Sequence, residues 1–97
     1  MVMPTDTETI ATVCRYRSAE GVYTLLVLAQ DRHGARGIAI DGTVTQRKLA
    51  RDELRWLTPL ADYQPRRAAK KMLAAGRVLG ITPTARRALH DLLAATS

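Results

Sequence analysis

Pro65, Gly80 and Pro83 constrain this chain more than any other residues in it. Proline suits the first position of a helix, where its missing N–H has no partner to lose, and breaks a helix interior. Glycine takes the positive φ that ends a helix at little cost. The segment "PRRAAKKMLAAGRVLG" (65–80) is therefore expected to be one helix that starts on Pro65 and stops at Gly80. Thr82-Pro83 starts a second, with Thr82 as N-cap, running over 83–95.

Upstream the pattern is that of strands. "TIATVCRYR" (9–17) is rich in β-branched and aromatic residues, and "VYTLLVLAQ" (22–30) is a near-continuous apolar run that suits a central strand buried on both faces. "SAEG" between them is turn chemistry and makes the two an antiparallel hairpin. "DRHGARG" (31–37) reads as a second turn, "IAI" (38–40) as a short third strand, and Asp41-Gly42 as a hairpin signal leading to a fourth strand near 43–49. Leu49, Glu53 or Leu54, and Leu57 then recur at helical spacing, which predicts a short helix over 50–57, and "TPLADYQP" (58–65) links the two halves.

Strands followed by helices define an α+β chain. The expectation is a small antiparallel sheet of three to four strands (9–49), a short helix (50–57) and a C-terminal helical hairpin (65–80 and 83–95). These form a single domain over 9–97 after a flexible N-terminus at 1–8. The 97 residues contain no Phe, so the core must be mostly Leu, Val, Ile and Ala, with Tyr23 and Trp56 expected to pack against the helices. Cys14 is alone and sits in a strand pattern, which suits a buried thiol in a reducing cytoplasm. "MVMPTDTETI" lacks the basic start and apolar run of a signal peptide, and no apolar run is long enough to span a bilayer, so no membrane partner is expected.

The net charge is +6, and the excess is concentrated: residues 61–97 hold seven cations against two acids. Such a balance favours polyanionic partners. At about 100° per residue, Arg66, Lys70 and Arg77 fall together on the 65–80 helix, with Arg67 and Lys71 about a third of a turn further round. Ala68, Ala69, Met72, Leu73, Ala75, Gly76 and Leu79 form its inward side. No acid interleaves with the cations, so Arg66 faces Lys70 and Arg67 faces Lys71 as like-charged i,i+4 neighbours. On the second helix Ala85, Ala88, Leu89, Leu92 and Leu93 form the inward face.

Gly76, Leu79, Gly80 and Ile81-Thr82 resemble the first half of the bipartite helix-turn-helix motif of many bacterial regulators, in which a small residue lies four before a turn glycine. The second half departs: the motif wants an aliphatic residue six after the glycine, where this chain has Arg86. The same stretch is similar to the closing helices of some phage packaging proteins. The helix-turn-helix resemblance implies a DNA-reading second helix with Thr84, Arg86, Arg87 and His90 outward. A plain helical hairpin is the alternative, with Arg87 paired to Asp91.

No enzyme signature, cofactor motif or metal-ligand spacing is present: His33, His90 and Cys14 are scattered, and Asp41, Asp52 and Glu53 have turn or helix-start explanations. The sequence points to a non-enzymatic, small basic protein of bacterial or phage type. It is expected to be a nucleic-acid-binding accessory or regulatory protein that contacts phosphate through Arg66, Arg67, Lys70, Lys71, Arg77, Arg86 and Arg87. The alternative is an inhibitor, adaptor or assembly subunit that docks on an acidic protein surface or forms a homodimer, with the strand at 36–40 as a pairing edge.

Overall fold

The strand patterns resolve into one antiparallel sheet in a computed structural model that describes residues 8–19 and 21–95. It has five strands, β1 (Glu8–Ser18), β2 (Gly21–Asp31), β3 (Gly34–Ile40), β4 (Val44–Ala50) and β5 (Leu57–Pro59), in the spatial order β4-β3-β2-β1-β5. A 3-10 helix (Arg51–Trp56) joins β4 to β5, and α1 (Pro65–Leu79) and α2 (Pro83–Ala95) follow. Residues 1–7, 20 and 96–97 lie outside the description, so most of the expected flexible start and the tip of the first turn are not addressed; Glu8 belongs to β1. The class is α+β, with five strands rather than three or four.

β2 is the middle strand, and its Leu25, Leu26 and Val27 are all at most 1% exposed because both faces of the sheet are covered. Alternation divides them. Val13 pairs with Leu26 and joins Ile38 and Val44 under the helices, against Ala69, Met72, Ala85 and Leu89. Cys14 pairs with Leu25 and joins Tyr16, Val27, Ala35, Ala39 and Leu49 on the opposite face, closed by the half-buried Tyr23, Leu54 and Leu57. On that face β3 presents the column Ala35, Gly37, Ala39. A Cβ on Gly37 would lie 2.6 Å from the Leu26 carbonyl oxygen and 3.1 Å from Leu25, so the large residue of β2 sits directly on the small one of β3.

Several expectations are corrected here. The turn at 31–37 shrinks because Asp31 Oδ1 accepts from the backbone N–H of His33 (2.7 Å) and Gly34 (3.1 Å), which lets β3 begin at Gly34 instead of residue 38. β3 is paired on both sides, so 36–40 is not an edge. Part of the expected 58–65 link is β5, which pairs Leu57, Thr58 and Pro59 with Tyr16, Arg15 and Cys14. The 50–57 segment is 3-10, with three residues per turn, so Leu54 and Leu57 fall on one side and Trp56 on another. Leu54 and Leu57 pack on the face away from the helices, and Trp56 is 45% exposed with the Arg55 guanidinium 5.0 Å from its ring. Tyr23 also lies on that face, 5.2 Å from Tyr16, rather than against the helices.

The helical punctuation holds. Pro65 is the first residue of α1, Gly80 its C-cap at φ 93°, and Thr82 Oγ1 accepts from the N–H of Ala85 at 3.2 Å. The inward faces match except at Leu79, which is 45% exposed beside Val78 at 86%. The connecting residues are fastened to the sheet: Val44 N–H donates to Gly80 O (3.0 Å) and Thr82 N–H to Val44 O (3.1 Å). Gly76 has a steric role there, since a Cβ would fall 2.8 Å from the Cβ of Ile81.

Candidate nucleic-acid interface

One contact settles how the two helices lie. Arg66, in the first turn of α1, donates from Nη1 to the carbonyl oxygen of Leu93, in the last turn of α2, at 2.9 Å. Helices of 15 and 13 residues crossing at right angles from a shared turn would leave their far ends roughly 30 Å apart at ~1.5 Å per residue. An arginine side chain spans only a fraction of that. The helices are therefore an antiparallel hairpin laid flat on the sheet, and the likeness to a helix-turn-helix extends to the turn but not to the crossing.

The same contact corrects the role of Arg66. It is half-buried and committed to an orphan carbonyl at the C-terminus of α2, which a cation also satisfies electrostatically. It is a tie between helices, and no longer part of a free phosphate-binding set.

The remaining cations are placed by helical geometry. Ala69, Met72 and Gly76 of α1 are buried against the sheet, and Arg66 marks the flank turned toward α2. Lys70 and Arg77 share that flank but lie further outward, whereas Arg67 and Lys71 lie on the outward side away from α2, above Ala68. On α2, Ala85 and Leu89 are buried, which puts Arg86 and His90 on the row of Leu93, facing α1, and Arg87 on the crest. Running antiparallel, the row of Arg86 and His90 passes the row of Arg77 and Lys70 across the seam. Cations thus cover the hairpin from Lys71 across to Arg87, with Asp91 at the far margin.

These six cations, Arg67, Lys70, Lys71, Arg77, Arg86 and Arg87, are all exposed, and none makes a hydrogen bond or ion pair among the described residues. Arg87 and Asp91 do not pair. Arg15, Arg17, Arg36, Lys48 and Arg51 are likewise exposed and without a hydrogen bond or ion pair among the described residues. Arg47 on β4 binds Asp41 at 2.8 Å and lies 4.9 Å from the Tyr23 ring.

The scattered acids do not converge on a reactive centre. Asp41 is held by Arg47, and Glu53 accepts from the N–H of Ala50 (3.0 Å) and from the Tyr16 hydroxyl (2.9 Å). The Ala50 N–H, and then the Tyr16 hydroxyl, hold the Glu53 carboxyl below its usual range. Burial, followed by the bond to Glu53, pushes the Tyr16 phenol up, and burial raises the Cys14 thiol, which keeps it protonated. Among the described residues no group of three acids, histidines or cysteines is placed to hold a metal, and no helix is long and apolar enough to cross a membrane.

The structure adds residues that the sequence did not single out. Beside α1, on the side away from α2, a cleft of about 450 Å³ opens between helix and sheet, with Arg67 and Lys71 on its rim. Tyr63, Asp62, Gln64 and Thr24 complete the polar lining. Tyr63 is 58% exposed. Its signal in the sequence was slight: one aromatic in a polar, proline-bounded connection. Comparison with protein-family models, with curated proteins and with solved structures finds no match to this chain.

Proposed function

We propose that the helical hairpin binds the phosphates of a nucleic acid through Arg67, Lys70, Lys71, Arg77, Arg86 and Arg87, in a non-catalytic accessory or regulatory role. The observation that carries this is the gathering of those six unpaired cations on one hairpin surface, with Asp91 only at its margin. Like charges at i,i+4, such as Arg67 and Lys71, cost a few tenths of a kcal/mol per pair. A bound polyanion removes that cost and leaves the inner faces of the helices undisturbed.

Salt dependence tests the proposal. Five or six phosphate contacts give a slope in log K against log[salt] of roughly −4.5 to −5.5 on a duplex, or about −3.5 to −4 on a single strand. We expect fluorescence anisotropy with a labelled oligonucleotide to show that slope, and the double reversal Arg77→Glu/Arg86→Glu to weaken binding more than tenfold. A salt-independent affinity, or a reversed variant that binds as well as the parent, overturns the proposal.

A second reading, docking on an acidic protein or self-association, is favoured by the exposed apolar pair Val78 and Leu79 beside Arg77, and by Trp56 on the opposite face. Capture of a partner that survives nuclease treatment and is lost in Val78→Asp would select it over the first.

A further inference from the structure

We infer that the polyanion is single-stranded nucleic acid, and that the cleft beside α1 receives one of its unstacked bases. This rests on the phosphate-binding reading above and narrows it.

The first support is the lie of the hairpin. Duplex DNA is read by an element that projects into the major groove. Here both helices lie flat: α1 buries Ala69, Met72 and Gly76, α2 buries Ala85 and Leu89, and the far end of α2 is tied to α1 by Arg66. The turn is fastened to β4 through Val44. Two helices of ~10 Å each, side by side, present a face wider than the ~12 Å major groove, and what the hairpin offers is a broad cationic surface suited to a flexible strand.

The second support is the chemistry of the cleft. Its floor is apolar, with Val13, Ile40, Ala68 and Met72. Its volume of about 450 Å³ falls within the ~300–1,000 Å³ typical of small-molecule sites. Tyr63 stands exposed in its lining, an amphipathic ring with a free face for stacking. Arg67 and Lys71 are one helical turn apart on the rim, where phosphates flanking an inserted base would pass. Asp62, the one acid in the lining, would repel a phosphate but accepts hydrogen bonds from the exocyclic amino group of a base. An apolar floor, an aromatic wall, an acceptor within and cations outside match a nucleotide in an open strand. A base stacked and paired in a duplex cannot reach them.

The test compares one labelled oligonucleotide, alone and annealed to its complement, at low salt. The parent protein is expected to bind the single strand at least tenfold more tightly. Tyr63→Ala, at an exposed position whose melting temperature serves as the control for folding, is expected to lose about tenfold in single-strand affinity while duplex affinity moves less than twofold. Tyr63→Phe is expected to restore single-strand binding, because the ring and not the hydroxyl does the stacking. Equal affinity for both forms, or a Tyr63→Ala protein indistinguishable from the parent, overturns this inference and leaves phosphate binding standing. Failure to bind either form overturns both.

Discussion

The two faces of the sheet are covered by different means. One lies under 28 residues of α-helix (15 in α1 and 13 in α2) and its buried core is entirely aliphatic apart from Met72. The other is closed by a six-residue 3-10 helix, and its core includes a thiol and the Tyr16 ring. The polar chemistry differs to match. Near the lightly covered face, charges are spent on holding the structure together: Arg47 on Asp41 and Tyr23, Glu53 on Tyr16 and Ala50. On the helical side the packing is mostly apolar: Arg66 is tied to Leu93, and the other six cations of the hairpin have no internal work among the described residues. The hairpin differs in gathering its unpaired cations on one surface, not in being alone in having them: Arg51, in the 3-10 helix, is also exposed and unpaired among the described residues.

The contrast can be broken most sharply in the aliphatic core. Leu89 is fully buried, so Leu89→Ala is expected to cost about 2–5 kcal/mol in denaturant unfolding. The half-buried Leu54, truncated likewise on the other face, should cost clearly less; equal losses would mean that the two coverings contribute alike. Next, Gly76→Ala forces a methyl against Ile81 and is expected to destabilise by roughly 1–3 kcal/mol, read as a lowered melting temperature. Arg66→Gln removes the tie to Leu93 and is expected to lose about 1–2 kcal/mol of stability while leaving the salt slope of oligonucleotide binding unchanged. A shallower slope would return Arg66 to the phosphate-binding set.

The smallest expected effect belongs to the Tyr16–Glu53 pair. Tyr16→Phe should cost about 0.5–1.5 kcal/mol at neutral pH. The pH dependence sharpens the point. Because the folded protein holds the Glu53 carboxyl below its ordinary 4.5, the stability it contributes is complete above that pH and fades as pH falls through the lowered value. Tyr16, raised above its ordinary 10.0, contributes stability that is complete below that pH and is lost as pH rises through the raised value. Melting temperature against pH is expected to show both limbs, the acid limb weakened in Glu53→Gln and the alkaline limb in Tyr16→Phe.

Much of the fold was legible because it is written in local chemistry. Pro65, Gly80 and Thr82 mark the helix ends by backbone rules that hold anywhere. The apolar run of β2 needs no neighbour to be recognised, and the burial of Cys14 follows from the same strand pattern. The parts that escaped depend on distant partners. β5 is three residues long and ends on a proline; only its pairing with β1, more than forty positions earlier, makes it a strand. Leu54 of the 3-10 segment and the flanking Leu49 and Leu57 stand at spacings that a 3.6-residue period also explains, and the choice between the two periods moves Trp56 from core to surface. At the candidate site, the cations were visible in the sequence, whereas the engagement of Arg66 and the cleft at Tyr63 exist only once the hairpin has closed on the sheet.

The fastening of the inter-helix turn to β4 has a consequence for how copies of this chain meet. Backbone groups alternate along a strand, so the N–H groups of Val44, Gln46, Lys48 and Ala50 share the outer margin of β4. The first is taken by Gly80 and the last by Glu53, and an exposed lysine stands between them. On the opposite margin the three-residue β5, with Pro59, covers only Cys14–Tyr16 of β1, and the earlier part of β1 has no strand on that side among the described residues. With the β4 margin stopped in this way, the sheet has little template on that side for recruiting a further strand. Strand-to-strand pairing between copies is thereby turned away from β4 and toward the β1 margin.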